Sequence, residues 1–161
     1  MIIQCPNTYI PVPGDCSVFM AGGITDCPDW QATFKTFLLP PEQEDHVVWL
    51  NPRRDNFDVT DPSMSEAQIE WEYEYLNSAE TVLFWFPKET LCPITLFELG
   101  YQLGKGNTVF VGTDPEYKRR FDVVKQCSLA DPSIEVADNL DDLVGQVLEW
   151  DLEFRTGKSR F

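Results

Sequence analysis

Apolar residues along this chain fall into short blocks, and the spacing inside those blocks alternates between two periods. The block TVLFWF at residues 81–86 is continuous, which suits a strand buried on both faces of a parallel sheet. CSVFMA at 16–21 and HVVWL at 46–50 have the same texture, and shorter blocks at 108–111 and 134–137 predict two further strands. Between the blocks the period lengthens. Residues 29–39 set Trp30, Phe34, Phe37 and Leu38 near one helical face and stop at Pro40 and Pro41. Ser65 and Gln68 have the spacing of a capping box, predicting a helix from Ser65 to about Ala79 with Ile69, Tyr73 and Leu76 near one face. Helical patterns follow at 94–104, 116–127 and 140–154. Residues 1–15 hold Pro6, Pro11, Pro13 and Gly14 and read as an extended arm rather than a core element.

Strand and helix patterns therefore alternate, the signature of a parallel sheet covered on both faces. The expected fold is α/β, with a mostly parallel five-stranded sheet in one domain at 16–154, the arm at 1–15 before it and a tail at 155–161 after it. A chain of 161 residues is long enough for one sizeable core, and 43% apolar residues with five tryptophans argue against a disordered chain.

Charge then narrows the partners. Twelve basic against twenty-seven acidic residues leave a net charge of −15, which repels nucleic-acid polymers and anionic membranes but does not exclude a small anionic ligand, because a local pocket can oppose the global field. The bland role of that acidity is solubility. The five cysteines are odd in number and form no CxxC, so a reduced, cytoplasmic setting is expected. One histidine, His46, and no thiol cluster make a metal site unexpected, and no apolar stretch has the length to cross a bilayer.

The candidate chemistry gathers after the strands. Glu98 stands among Ile94, Leu96, Phe97, Leu99 and Tyr101, surroundings that a carboxylate avoids unless something satisfies it. Pro93 suits the first turn of the helix, whose amide end favours an anion, so Glu98 is expected to stay charged and to serve as a nucleophile; a structural cap or salt bridge is the alternative. Gly22 and Gly23 let a ligand approach the backbone, although a tight turn needs glycine in any case. Neither AGGITD at 21–26 nor GKS at 157–159 completes a nucleotide-binding fingerprint. Arg53 and Arg54 suit a carboxylate or phosphate, or equally pair with Asp55, Asp58 or Asp61. Glu72 either points to the ligand edge or belongs with Glu70 and Glu74 on a solvated face, while Trp85 and Tyr101 read as core or pocket-wall aromatics.

These segments together resemble the nucleoside 2-deoxyribosyltransferase-like family. The resemblance rests on AGGIT at 21–25, NPRR at 51–54, WEYEYLNSAETVLFWFP at 71–87, TLFELGYQLGKG at 95–106 and VFVG at 109–112. It implies a flavodoxin-like three-layer sandwich, homo-oligomers in which neighbouring subunits complete each site, and cleavage of the N-glycosidic bond of 2′-deoxynucleosides through a glutamate nucleophile. No cofactor is implied. Glu98 matches that glutamate, and Glu72 stands where the family commonly has an aspartate near the base. The substrate-contacting set implied here is Phe19, Ala21, Gly22, Gly23, Arg53, Arg54, Trp85, Thr95 and Tyr101. Two positions depart from the pattern: Phe19 replaces a tyrosine, and CPIT at 92–95 lacks a loop acid, Glu89 being the nearest upstream. The expected activity is base release or base transfer on 2′-deoxynucleosides or their 5′-monophosphates. The alternatives are a non-catalytic nucleotide-binding module and a hydrolase of an NAD-like ribosyl bond.

Overall fold

The computed structural model describes residues 1–34, 46–55 and 61–156. Expectations for Phe37, Leu38, Pro40, Pro41, Asp58 and the tail beyond 156 lie outside the described residues. Five strands, β1 (Ile2–Gln4), β2 (Cys16–Gly22), β3 (Val47–Asn51), β4 (Thr81–Phe86) and β5 (Val109–Thr113), form one sheet in the order β1-β3-β2-β4-β5. Every pairing is parallel. The helices are α1 (Trp30–Phe34), α2 (Pro62–Ser78), α3 (Pro93–Lys105), α4 (Arg120–Ala130) and α5 (Leu140–Thr156). This is a three-layer α/β sandwich of the flavodoxin-like kind.

Strand alternation sorts the side chains into two cores. Phe19, Ala21, Leu50, Phe84 and Phe86 face one way and pack with Trp71 and Tyr75 of α2, Leu99 of α3 and Val123 of α4. Val18, Met20, Trp49, Leu83 and Trp85 face the other way, against Trp30 and Phe34 of α1 and Leu143 and Val147 of α5. Burial on both faces is why these strands read as continuous apolar blocks.

The fifth strand is not where the apolar blocks put it. Residues 134–137 make only a single bridge, Ala137 to Gly112, whereas the proline-rich start of the chain supplies the edge strand β1. Ile3 lies beside Leu50 and Gln4 beside Asn51, and the Cys5 amide donates to the Asn51 carbonyl at 2.9 Å. Beyond it, Trp71 Nε1 donates to the Asn7 carbonyl at 3.0 Å and the Tyr9 amide to the Tyr75 hydroxyl at 2.7 Å. Three strand residues are too few to show a period among so many prolines.

Helix α2 also begins a turn earlier than its capping box. Asp61 is the N-cap, its carboxylate accepting from the Ser63 amide, and Pro62 opens the first turn. The earlier start comes with a different buried stripe: Gln68, Trp71, Tyr75 and Leu76 are buried, while Ile69 and Tyr73 stand in solvent. Gln68 is thereby freed from capping and turned inward.

Candidate functional site

Strand order reverses about β2. The chain steps from β2 to β3 on one side and later to β4 on the other, and in such sheets the loops at the carboxyl ends diverge and leave a crevice. A cleft of about 330 Å³ opens there. Phe19 and Ala21 of β2 form its base, residues 22–25 one wall, and Thr90, Cys92 and Thr95 the other, with Glu72 from α2 and Glu98 from α3 on its lining. A larger groove of about 570 Å³ lies along the start of β5 and α5, away from these loops.

The glycine turn is close-packed. A Cβ on Gly22 would come 2.7 Å from the Trp85 carbonyl oxygen, and one on Gly23 would come 2.9 Å from both the Cys92 sulfur and Thr90 Cγ2. Glycine at 23 is therefore what lets the two walls approach. Cys92, in the left-handed conformation at φ 48°, caps α3 without a side-chain bond and swings the chain into Pro93.

The two acids differ in their support. Glu72 Oε1 accepts from Gln68 Nε2 at 2.7 Å, and burial pushes its carboxyl up while that hydrogen bond pulls it down. Glu98 is half-buried and makes no hydrogen bond or ion pair with any described residue. Burial, and then the nearby Glu72 carboxylate, push Glu98 up to about 8. The expectation of a Glu98 kept ionised by helix amides is therefore corrected. It sits in the second turn of α3, beyond the first turn where those amides act, and desolvation wins. Like charges in a shared low-dielectric cleft titrate together, so the proton that Glu98, pushed up to about 8, keeps at neutral pH belongs to a coupled pair.

Not every residue expected at the ligand reaches it. Phe19, Ala21, Gly22, Gly23, Glu72, Thr95 and Glu98 converge on the cleft. Arg53 and Arg54 are not on its described lining. Arg53 turns back into the fold: its Nε donates to Gln31 Oε1 at 3.0 Å, and Nη2 donates to the Ile24 carbonyl at 3.0 Å. It also pairs with Asp29 at 3.4 Å rather than with Asp55 or Asp61. Arg53 thus clamps the loop whose start forms one cleft wall. Arg54 is half-buried, and its charge bears on the Cys5 thiol. Trp85 has the wrong strand parity and packs in the opposite core. Tyr101 lies outside the cleft, its hydroxyl donating to Asn77 Oδ1 at 3.2 Å. Glu89 is exposed and off the lining.

Sequence reasoning missed Gln68, Pro52 and the packing role of Cys92. Gln68 was legible only as half of a capping box, which its inward turn overrides.

A parallel α/β domain with two acids in a cleft at its switch point has the form of a small-molecule site. The sequence model of the family described as nucleoside 2-deoxyribosyltransferase like matches residues 15–117, well over half of the chain, and the chain belongs to that family. Membership points to deoxyribosyltransferase-like chemistry on small nucleoside substrates. No curated protein matches the chain significantly. No helix among the described residues is long and apolar enough to cross a membrane, and they contain no cluster of metal-ligating side chains.

Proposed function

We propose that this protein cleaves the N-glycosidic bond of a 2′-deoxynucleoside and passes the sugar to a second base or to water, with Glu98 as nucleophile and Glu72 as the acid for the leaving base. The observation that carries the reading is the convergence of these two carboxyl groups on one cleft beside the glycine turn. In the reactive arrangement the shared proton is on Glu72 and Glu98 is a carboxylate. A Glu98 oxygen bonds to C1′ as the C1′–N bond breaks through an oxocarbenium-like transition state. The electron pair of the broken bond stays on the base nitrogen, and the base takes the Glu72 proton, directly or at another ring atom. An incoming base or water then attacks C1′ of the glycosyl ester, returns a proton to Glu72 and releases Glu98. A missing 2′-hydroxyl helps, because that electron-withdrawing group would destabilise the developing cation.

The cleft volume suits one nucleoside better than the two halves of an NAD-like molecule. No basic side chain stands on the described lining, which favours the uncharged nucleoside over its 5′-monophosphate. The exposed apolar side chains Ile69, Tyr73, Leu91, Ile94 and Phe97 lie on α2, on α3 and before α3, around the cleft elements, and support a homo-oligomer; gel filtration with light scattering checks it.

The test is incubation of purified protein with a panel of 2′-deoxynucleosides and their 5′-monophosphates, with and without an acceptor base, beside Glu98→Gln. Base release or exchange that disappears in the variant supports the reading. One observation favours a second reading, a non-catalytic nucleoside-binding module: no described side chain donates a hydrogen bond to orient Glu98. Binding without turnover in the same panel would select it.

A further inference from the structure

The reading above needs an acid whose proton faces the cleft, and the residues behind Glu72 determine which of its oxygens can carry that proton. Gln68 is buried on α2, one turn before Glu72. Its Nε2 donates to the Pro52 carbonyl at 2.7 Å and to Glu72 Oε1 at 2.7 Å. On the other side, Cys5 Sγ donates to Gln68 Oε1 at 3.2 Å. A carbonyl oxygen only accepts, so the nitrogen of the amide must face Pro52 and the flipped orientation is excluded. Both amide hydrogens are then committed. Burial pushes the Cys5 thiol up to about 11, so it keeps the hydrogen it donates.

We propose that Gln68 is a positioning residue for Glu72: held by Cys5 and Pro52, it occupies Oε1 as an acceptor and leaves Oε2 as the atom that carries a proton to the leaving base. The N–H bond engages a lone pair of Oε1 and favours its carbonyl form, so a protonated Glu72 is favoured with its proton on Oε2. The same bond favours the ionised form of Glu72, and Glu98 has no such donor. In the empty cleft the shared proton therefore rests on Glu98. It must pass to Glu72 Oε2 when a nucleoside binds, which couples ionisation of the nucleophile to occupation of the site. The titratable and charged groups bearing on this chain of bonds are Glu98 on α3, Cys5 after β1 and Arg54 after β3.

The inference rests on the glycosidic reading for its purpose and on hydrogen bonding for its geometry, so two measurements separate them. The first is a carbon-detected NMR titration of the glutamate carboxyls without ligand, in wild type and Gln68→Met, with signals assigned through Glu72→Gln and Glu98→Gln. In wild type the step near pH 8 belongs to Glu98. In Gln68→Met about a third or more of its amplitude should pass to Glu72, since the ionised Glu72 has lost its donor. An unchanged partition in a folded Gln68→Met protein overturns the proposal, whether or not the protein has activity.

The second measurement compares a purine 2′-deoxynucleoside with its N7-methylated cation, whose base departs without needing a proton. Gln68→Met should lower kcat about tenfold on the first and less than about threefold on the second. Equal losses on both would mark Gln68 as merely structural. Wild-type inactivity on every nucleoside would sink the glycosidic reading and leave the titration to decide on Gln68. If Gln68→Met does not fold, Cys5→Ala loosens the same amide and should move the titration in the same direction by less; no movement there also overturns the proposal.

Discussion

Two charged clusters flank the carboxyl end of β2, and they treat their charge in opposite ways. Around Arg53 the charge is saturated: Gln31 and the Ile24 carbonyl accept from it, Asp29 pairs with it, and its own amide donates to Asn51 Oδ1 at 3.0 Å. Around Glu98 the acid is unsupported, with burial and a second carboxylate as its neighbours and no donor among the described residues. A fold that can satisfy an arginine so fully a short distance away does not lack the means. Saturated charge holds a loop in place, and an unsupported acid is available to a ligand, which is how the proposed function divides structure from chemistry between the two clusters.

The sharpest way to break this contrast is to neutralise one member of each cluster. Glu98→Gln, which preserves shape, should reduce nucleoside turnover roughly 10³-fold or more while the protein stays folded, because it removes the proposed nucleophile. A loss under about tenfold, read by chromatography of released base, would return Glu98 to the structural side. Arg53→Met should do the reverse. Its removal leaves Gln31 Oε1 and the Ile24 carbonyl without the Arg53 donor and Asp29 without its ion pair, costing roughly 2–4 kcal/mol of stability in a denaturant titration. Below the midpoint kcat should fall less than about tenfold, with KM rising as the wall at Ile24 loosens. A kcat loss matching that of Glu98→Gln would put Arg53 at the substrate.

How much of this was legible beforehand follows from what each signal depends on. The central strands were readable because burial on both faces writes itself as unbroken apolar sequence, as in TVLFWF. Glu98 was readable because an acid in an apolar helix is a local anomaly. What failed was non-local. Ile2–Gln4 becomes a strand only because β3 offers it an edge. Arg53 lies where a ligand-binding arginine would lie, and only the loop from Ile24 to Asp29, folding back over it, assigns it to structure. Trp85 was lost to parity: one residue along β4 separates the cleft-side core from the opposite one. The charge state of Glu98 depended first on burial in the folded cleft and then on Glu72, twenty-six positions away in sequence and on another helix.

That coupling predicts an alkaline limit to activity. The proposed reactive pair needs one proton, and with Glu98 pushed up to about 8 the last proton leaves near that pH. Above it both acids are ionised, no acid remains for the base, and kcat/KM should fall about tenfold per pH unit. Glu72→Gln should flatten the limb as well as lower the plateau, since an amide neither titrates nor repels Glu98. A wild-type profile flat from pH 7 to 10 would show that the two acids do not share a proton.

The smallest effect is also the one that separates the clusters without any substrate. In the unfolded chain Glu98 titrates near its ordinary value of 4.5, and in the folded protein near 8. Between those values the folded state holds a proton that the unfolded state has released, so stability falls as pH rises through this window. The contribution is fully present below about 4.5 and gone above about 8. Glu98→Gln removes this slope and leaves the rest of the protein's acidity in place. Its stability relative to wild type should therefore grow from pH 5 to pH 8.5, by roughly 2 kcal/mol once residual solvent contact is discounted, or several degrees in Tm. Arg53→Met should show no such growth, because it leaves Glu98 and the burial that shifts it in place. If instead Glu98→Gln is destabilised equally at both pH values, Glu98 is held by bonds of the kind that hold Arg53, and the distinction between the two clusters fails.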